Sequence, residues 1–204
     1  MTIEELQQPF PFVEAREGSC DHPSVKVPAG ELVAFAEYLR DRAGFSFLVD
    51  LTGIDWGAEV SPRFTGIYHF FNPWYAEYIR VAVDCTGSDE YPQLPTLTGL
   101  WPAANWHERE AYDMLGIEYT GHPDLRRILV WDGYPYFPLR REFPLAGQDA
   151  VWPEDDVVEV TAGGINPTAA PMMGGPFVAP QESTMSAREP QGRDESWTET
   201  KTKK

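Results

Sequence analysis

With 204 residues, 42% of them hydrophobic, the chain can bury a sizeable core as one folded domain with extensions. Its 32 acidic and 16 basic side chains, a formal net charge of −16, argue against nucleic acid or anionic lipid as a partner and favour a basic protein surface. No apolar run approaches the roughly 20 residues of a membrane span, the acids of the N-terminal MTIEELQQPFPF stand where a signal peptide has bases, and Cys20 and Cys85, distant and without CxxC spacing, are expected to be plain thiols rather than metal or iron–sulfur ligands.

Residues 1–29 carry Pro9, Pro11, Pro23 and Pro28 among charges and read as an irregular lead-in with one edge strand around Ser24 to Val27. Leu32, Phe35, Ala36, Leu39 and Ala43 then predict a helix over Glu31 to Ala43, capped by Gly44. Phe45 to Leu51 is apolar enough for a strand covered on both sides, broken by Thr52-Gly53. A second strand runs from Arg63 to Phe71. A third, Glu77 to Cys85, alternates so that Ile79, Val81, Val83 and Cys85 face inward and Tyr78, Arg80, Ala82 and Asp84 outward. Thr86 to Glu90 is a polar turn, and the prolines from Leu94 to Trp101 allow only short elements. The succession predicts an α+β fold, a mixed or antiparallel sheet with helices mainly on one face, followed by an extended C-terminal arm.

The densest run of signals is Asn105 to Leu145. Asn105, with Glu108 three residues on, predicts a capped helix start in which Glu108 reaches back, and Gly116 closes the helix. Glu108 and Glu110 would lie in its first two turns, where the helix dipole favours carboxylates. Ala111, Met114 and Leu115 form the apolar stripe, widened by Tyr112, and Arg109 and Asp113 are spaced to pair. After Gly121, Pro123 starts a turn or helical segment with Leu125, Ile128 and Leu129 at helical spacing. Pro138 to Leu145, PLRREFPL, has prolines on both sides and is predicted to be extended. Residues 146–204, with six prolines, two Gly-Gly pairs and a polar end, read as an arm disordered in its last part, in which Val157, Val158, Val160, Met172, Met173 and Phe177 can dock on a partner.

The run Glu108-Arg109-Glu110-Ala111-Tyr112-Asp113-Met114-Leu115-Gly116-Ile117, then Gly121-His122-Pro123-Asp124-Leu125-Arg126-Arg127-Ile128-Leu129, then PLRREFPL, resembles the signature of the C-subunit of proton-pumping NADH:quinone oxidoreductase, respiratory complex I. The similarity covers roughly residues 30 to 145, and relatives occur in membrane-bound hydrogenases. It marks Glu108, Arg109, Glu110, Tyr112, Asp113, Gly116, His122 and Pro123 as the family motif. It also implies three parts: lead-in 1–29, core domain 30–145 with signature 105–145, and tail 146–204. The implied role is a non-catalytic member of the peripheral arm, packed on the quinone-site D-subunit near subunits such as B and I. Such a protein is held at the cytoplasmic face of the plasma membrane through the complex, is enzymatic only as part of it, and leaves flavin and iron–sulfur clusters to its neighbours. The equivalent subunit of a membrane-bound hydrogenase is the alternative assembly. Two departures from the family pattern are Arg140-Arg141-Glu142, where Arg-Lys-Asp is usual, and a shortened loop from Trp131 to Phe137.

His107-Glu108 suggests a zinc-hydrolase HExxH, but the fifth position is Ala111. A stand-alone metal hydrolase using His107, Glu108 and Glu110 is therefore set aside, since a helix-edge His and a first-turn Glu have ordinary structural explanations. Neither a nucleophile triad nor a phosphate loop with its following helix is present in the sequence, and no catalytic, cofactor or metal residue is expected. Arg126, Arg127, Arg140 and Arg141, with Phe143, are the candidate partner interface, because planar guanidinium forks are enriched at buried interfaces. A solvated face paired with Asp124 and Glu142 is the plainer account of the same arginines.

Overall fold

The computed structural model describes residues 2–16, 21–131 and 133–144. A first unit takes Met1–Trp131 and Leu139–Arg141, and Asp132–Pro138 with the chain from Glu142 belongs to a second. Cys20 and the arm expected after Leu145 lie outside the described residues.

In the first unit the order is α1 (Ile3–Gln7), β1 (Glu14–Ala15), β2 (Ser24–Lys26), α2 (Leu32–Asp41, entered through a 3-10 turn at Ala29–Glu31), β3 (Phe47–Asp55), β4 (Phe64–Asn72), β5 (Glu77–Asp84), β6 (Thr86–Gly87), β7 (Pro92–Pro95), α3 (Ala104–Leu115) and β8 (Glu118–Thr120). Five strands form one sheet in the order β1-β2-β5-β4-β3, and β6-β7-β8 form a second. The meander β3-β4-β5 is antiparallel, while β2 runs parallel to β5 and β8 parallel to β7. The α+β expectation holds.

Several local expectations give way. The lead-in contains α1, opened by a capping box in which Thr2 and Glu5 exchange hydrogen bonds. β2 is not an edge strand, because β1 flanks it. β3 runs through Thr52-Gly53 instead of breaking there: a Cβ on Gly53 would come within 2.5 Å of Leu115 Cδ1 and 2.6 Å of Ile117 Cδ1, so the glycine admits the side chains packed over the sheet. Nor is β3 covered on both sides, since Phe47 and Val49 are 57% and 46% exposed. On β5 Ile79, Val81 and Val83 are buried as expected, but Cys85 lies just past the strand and is half-buried, and Ala82, expected outward, is buried.

Pairing puts Gly53 opposite Gly66, and Gly66, Tyr68, Phe70 and Asn72 alternate onto one face of β4. Gly53 faces Leu115 of α3, and Asn72 Nδ2 donates to the Ala43 carbonyl just past α2 at 3.0 Å. Both long helices therefore cover the same face. Between them the core takes Phe35, Leu39, Tyr68, Phe70, Val81, Leu97, Leu115 and Ile117, each large side chain contributing on the order of 1.5–3 kcal/mol by its burial. Trp101 packs against Phe70 and donates from Nε1 to the Ser46 carbonyl at 2.9 Å, anchoring the approach to α3.

Candidate functional site

The signature residues are organised by α3. Its cap position is Ala103, without a capping side chain, so Asn105 lies inside the helix and Glu108 does not reach back. Glu108 instead points into the core, fully buried, where Oε1 accepts the Leu97 amide at 2.7 Å and Oε2 is hydrogen-bonded to the Thr96 hydroxyl at 2.5 Å. Burial pushes its carboxyl up to about 7, against the pull of those two bonds. The hydroxyls of Tyr68 and Tyr119 are buried without a hydrogen-bond partner among the described residues, and burial, aided by the charge of Glu108, raises both phenols well above their ordinary value. His122 completes the surroundings, with Nε2 3.9 Å from Glu108 Oε2 and Nδ1 accepting the Asp124 amide at 3.0 Å.

Gly116, at φ 78°, closes the helix as its position predicts. Three residues earlier Asp113 is also fully buried, but Arg109 is not its partner. Asp113 Oδ1 accepts Arg127 Nη1 at 2.8 Å, and Oδ2 accepts the amides of Ile128, Leu129 and Val130 at 2.9, 2.6 and 3.1 Å. Those amides turn toward one oxygen rather than up a helix ladder, so the segment after Pro123 is a string of turns instead of the expected helical piece, and Leu129 is exposed. Arg109 donates from Nε to the Arg126 carbonyl at 3.2 Å and lies over the Trp106 ring.

PLRREFPL is not extended either, because its turns carry Leu139 and Arg140 onto the end of α3. The Leu139 amide donates to the Met114 carbonyl at 3.0 Å and Arg140 Nε to the Leu115 carbonyl at 2.7 Å, which serves acceptors a helix end leaves open. Arg140 also covers the Phe64 ring. The Arg141 amide donates to Asp55 Oδ2 at 2.9 Å, and Asp55 takes a two-pronged bond from Arg63 at 2.8 Å on each prong and the Gly57 amide at 2.9 Å. Burial pushes Asp55 up, but the bonds from Arg63, Arg141 and Gly57 outweigh it and bring the carboxyl down to about 2.

The four arginines are thus two kinds of residue. Arg127, its side chain 10% exposed, and Arg140 brace the chain internally, whereas Arg126 has a 66% exposed side chain beside Asp124 and Arg141 is exposed. Phe143 lies in the second unit, 6.3 Å from the Tyr136 ring, which meets Tyr134 at 5.6 Å. Of the remaining motif residues, Glu110 and Pro123 are exposed and Tyr112 half-buried.

The hydrolase triplet is not assembled: His107 Nδ1 faces Asp50 at 3.7 Å, Glu110 points to solvent, and Glu108 is turned into the core. Among the described residues no group of three His, Cys, Asp or Glu could hold a metal, and no helix is long and apolar enough to cross a membrane. Cys85 is a free thiol, which burial and then Asp84 push up to about 12.

The sequence reading missed Asp55, Arg63, Thr96, Tyr68 and Tyr119. An acid ending one apolar run and a base opening the next could have flagged Asp55 and Arg63 as a hairpin clasp. It also missed a row of rings across the open face of the sheet, in which Phe47 lies 6.5 Å from Phe71, Phe71 4.5 Å from Tyr78 and Tyr78 4.8 Å from His22. Trp74 and Tyr75 stand exposed in the β4–β5 turn.

Residues 25–149 match the family described as respiratory-chain NADH dehydrogenase, 30 Kd subunit. The NADH-quinone oxidoreductase C-subunit of Moorella thermoacetica is 46% identical over 144 residues, which are 70% of this chain and 93% of that protein. The NADH-quinone oxidoreductase C/D-subunit of a Sulfurihydrogenibium species is 42% identical over 144 residues, again 70% of this chain but 24% of that longer protein. A solved structure of the trypsin-resistant fragment (1-134) of Nqo5 superposes with a TM-score of 0.51 at 31% identity, covering 60% of this chain and 95% of the fragment.

Proposed function

Because the chain belongs to the family of the 30 Kd subunit of respiratory-chain NADH dehydrogenase, the C-subunit of NADH-quinone oxidoreductase, we propose that it is a non-catalytic support of the peripheral arm, packed on the D-subunit. In this reading subunits such as B and I are neighbours, flavin and iron–sulfur clusters sit in those neighbours, and the chain is held at the cytoplasmic face of the membrane through the complex.

The observation that carries the reading is the C/D relative, in whose name a sequence like this one is joined with D in a single polypeptide. A fusion of two proteins makes most sense where they must stay side by side at high effective concentration. The chain's surfaces agree with such a role. An exposed row of aromatic side chains on one sheet face and the outward Arg126 and Arg141 are the residue types enriched at protein interfaces. Glu108, Asp113, Arg127 and Arg140 direct their hydrogen bonds to the chain's own backbone, as a scaffold requires.

The test is deletion and complementation. Membranes from cells lacking the gene should lose NADH:quinone reductase activity together with the assembled peripheral arm, and the wild-type gene should restore both. Unchanged assembly and activity in the deletion strain would contradict the reading, as would loss of hydrogenase activity alone.

A further inference from the structure

Glu108 and Asp113 are both fully buried on α3, yet Asp113 has a guanidinium 2.8 Å away and Glu108 does not. Facing Glu108 are the Thr96 hydroxyl and Leu97 amide from the turn after β7, Tyr68 of β4, Tyr119 of β8 and His122. His122 is no ready counter-ion: its Nδ1 accepts the Asp124 amide, which places the ring hydrogen on Nε2, 3.3 Å from the Asn105 carbonyl. The two phenols add oxygen atoms and no positive charge. An ionised carboxylate is costly in such a place, and a neutral acid far less so.

Thr96 is arranged to receive that acid's hydrogen. Its Oγ1 already accepts the Thr98 amide at 3.1 Å and shares a hydrogen with Thr98 Oγ1 at 2.9 Å. A hydrogen on Glu108 Oε2 can be donated to Thr96 Oγ1 while Thr96 donates onward to Thr98, and the Leu97 amide stays on Oε1.

We infer that Glu108, Thr96 and Leu97 form a proton-binding site: the folded chain carries a proton on Glu108 Oε2, and its release puts an uncompensated charge beneath the turn that follows β7. Thr96 and Thr98 of that turn also line an open groove with Leu100, Asn105, Trp106 and Pro123, so the proton sits under a surface feature of the domain. With the folded carboxyl near 7 and an ordinary glutamate near 4.5, the folded chain binds more protons than the unfolded one between those values. The stabilisation is therefore complete below the unfolded value and is lost as pH rises toward 7.

The experiment compares thermal unfolding of the full chain and Glu108→Gln from about pH 4.5 to about pH 8.5. Gln keeps the shape and can still accept from Leu97. The wild type should lose on the order of 5–10 °C more than the variant across that range, and the variant should melt higher than the wild type at the alkaline end. A variant that melts lower at every pH, with the slope unchanged, would mean an ionised structural carboxylate and overturn the assignment. The same pH dependence vanishing in His122→Gln but not in Glu108→Gln would move the proton to the imidazole and overturn it equally. Should Glu108→Gln fail to fold, the carbon-13 titration of the Glu108 carboxyl in the wild type decides: a midpoint near neutrality supports the site, and one near an ordinary glutamate refutes it.

Discussion

Two arginine doublets frame the end of α3, and each is split. Arg127 is drawn inward to Asp113 while its neighbour Arg126 stands 66% exposed. Arg140 closes the carbonyl of Leu115 while Arg141 lends only its backbone amide to Asp55 and leaves its side chain at the surface. In a turn, adjacent side chains leave the backbone in different directions, so one residue of each pair reaches the acceptors at the end of α3 and the other points outward. Charge density alone would have assigned all four to the same task. The inward pair holds this domain together, and the outward pair stands at its surface.

That contrast can be broken in order of effect. Asp113→Ala removes the acceptor of Arg127 and of three consecutive amides, and should cost on the order of 4–5 kcal/mol in chemical denaturation. Arg127→Ala leaves Asp113 buried with its amide donors alone, and a loss of roughly 3 kcal/mol is expected in the same assay. The Asp55 clasp should show itself in acid: its carboxyl is held at about 2, below the ordinary 3.8, so its contribution is present above the ordinary value and disappears as pH falls through about 2. Removing that term with Asp55→Asn should erase roughly 2 kcal/mol of pH-dependent stability. Arg140→Ala should cost about 1–2 kcal/mol through the Leu115 carbonyl and the cover over Phe64. Arg126→Ala should change stability by less than about 0.5 kcal/mol, because a solvated pair with Asp124 contributes little. Equal losses for Arg126→Ala and Arg127→Ala would erase the split.

The elements legible in the sequence are those whose cause is local. The periodicity of Leu32 to Leu39, the inward set Ile79, Val81 and Val83, and the stop at Gly116 all survive in the fold. What misled was assigning local causes to long-range contacts. Glu108 looked like a first-turn acid for the helix dipole, but it serves Leu97, eleven positions away. The spacing of Leu125, Ile128 and Leu129 promised a helix, yet the amides of residues 128–130 belong to Asp113. Gly53 looked like a strand breaker because nothing nearby in sequence shows that Leu115 and Ile117 need its space. The family signature stood out for the opposite reason: several motif blocks in one order are specific even before any of their partners is known.

If the outward residues hold this chain against the D-subunit while the inward ones keep it folded, binding and folding must separate in one experiment. The affinity-tagged full chain is recovered from native membranes, as wild type and as the Arg126→Glu/Arg141→Glu double variant, and the D-subunit is quantified in each eluate. The D-subunit should be recovered with the wild type and fall by about tenfold or more with the double variant, while the variant's melting temperature stays close to that of the wild type. Full recovery of the D-subunit with both charges reversed, or none with the wild type, would contradict the assignment of these residues to the interface.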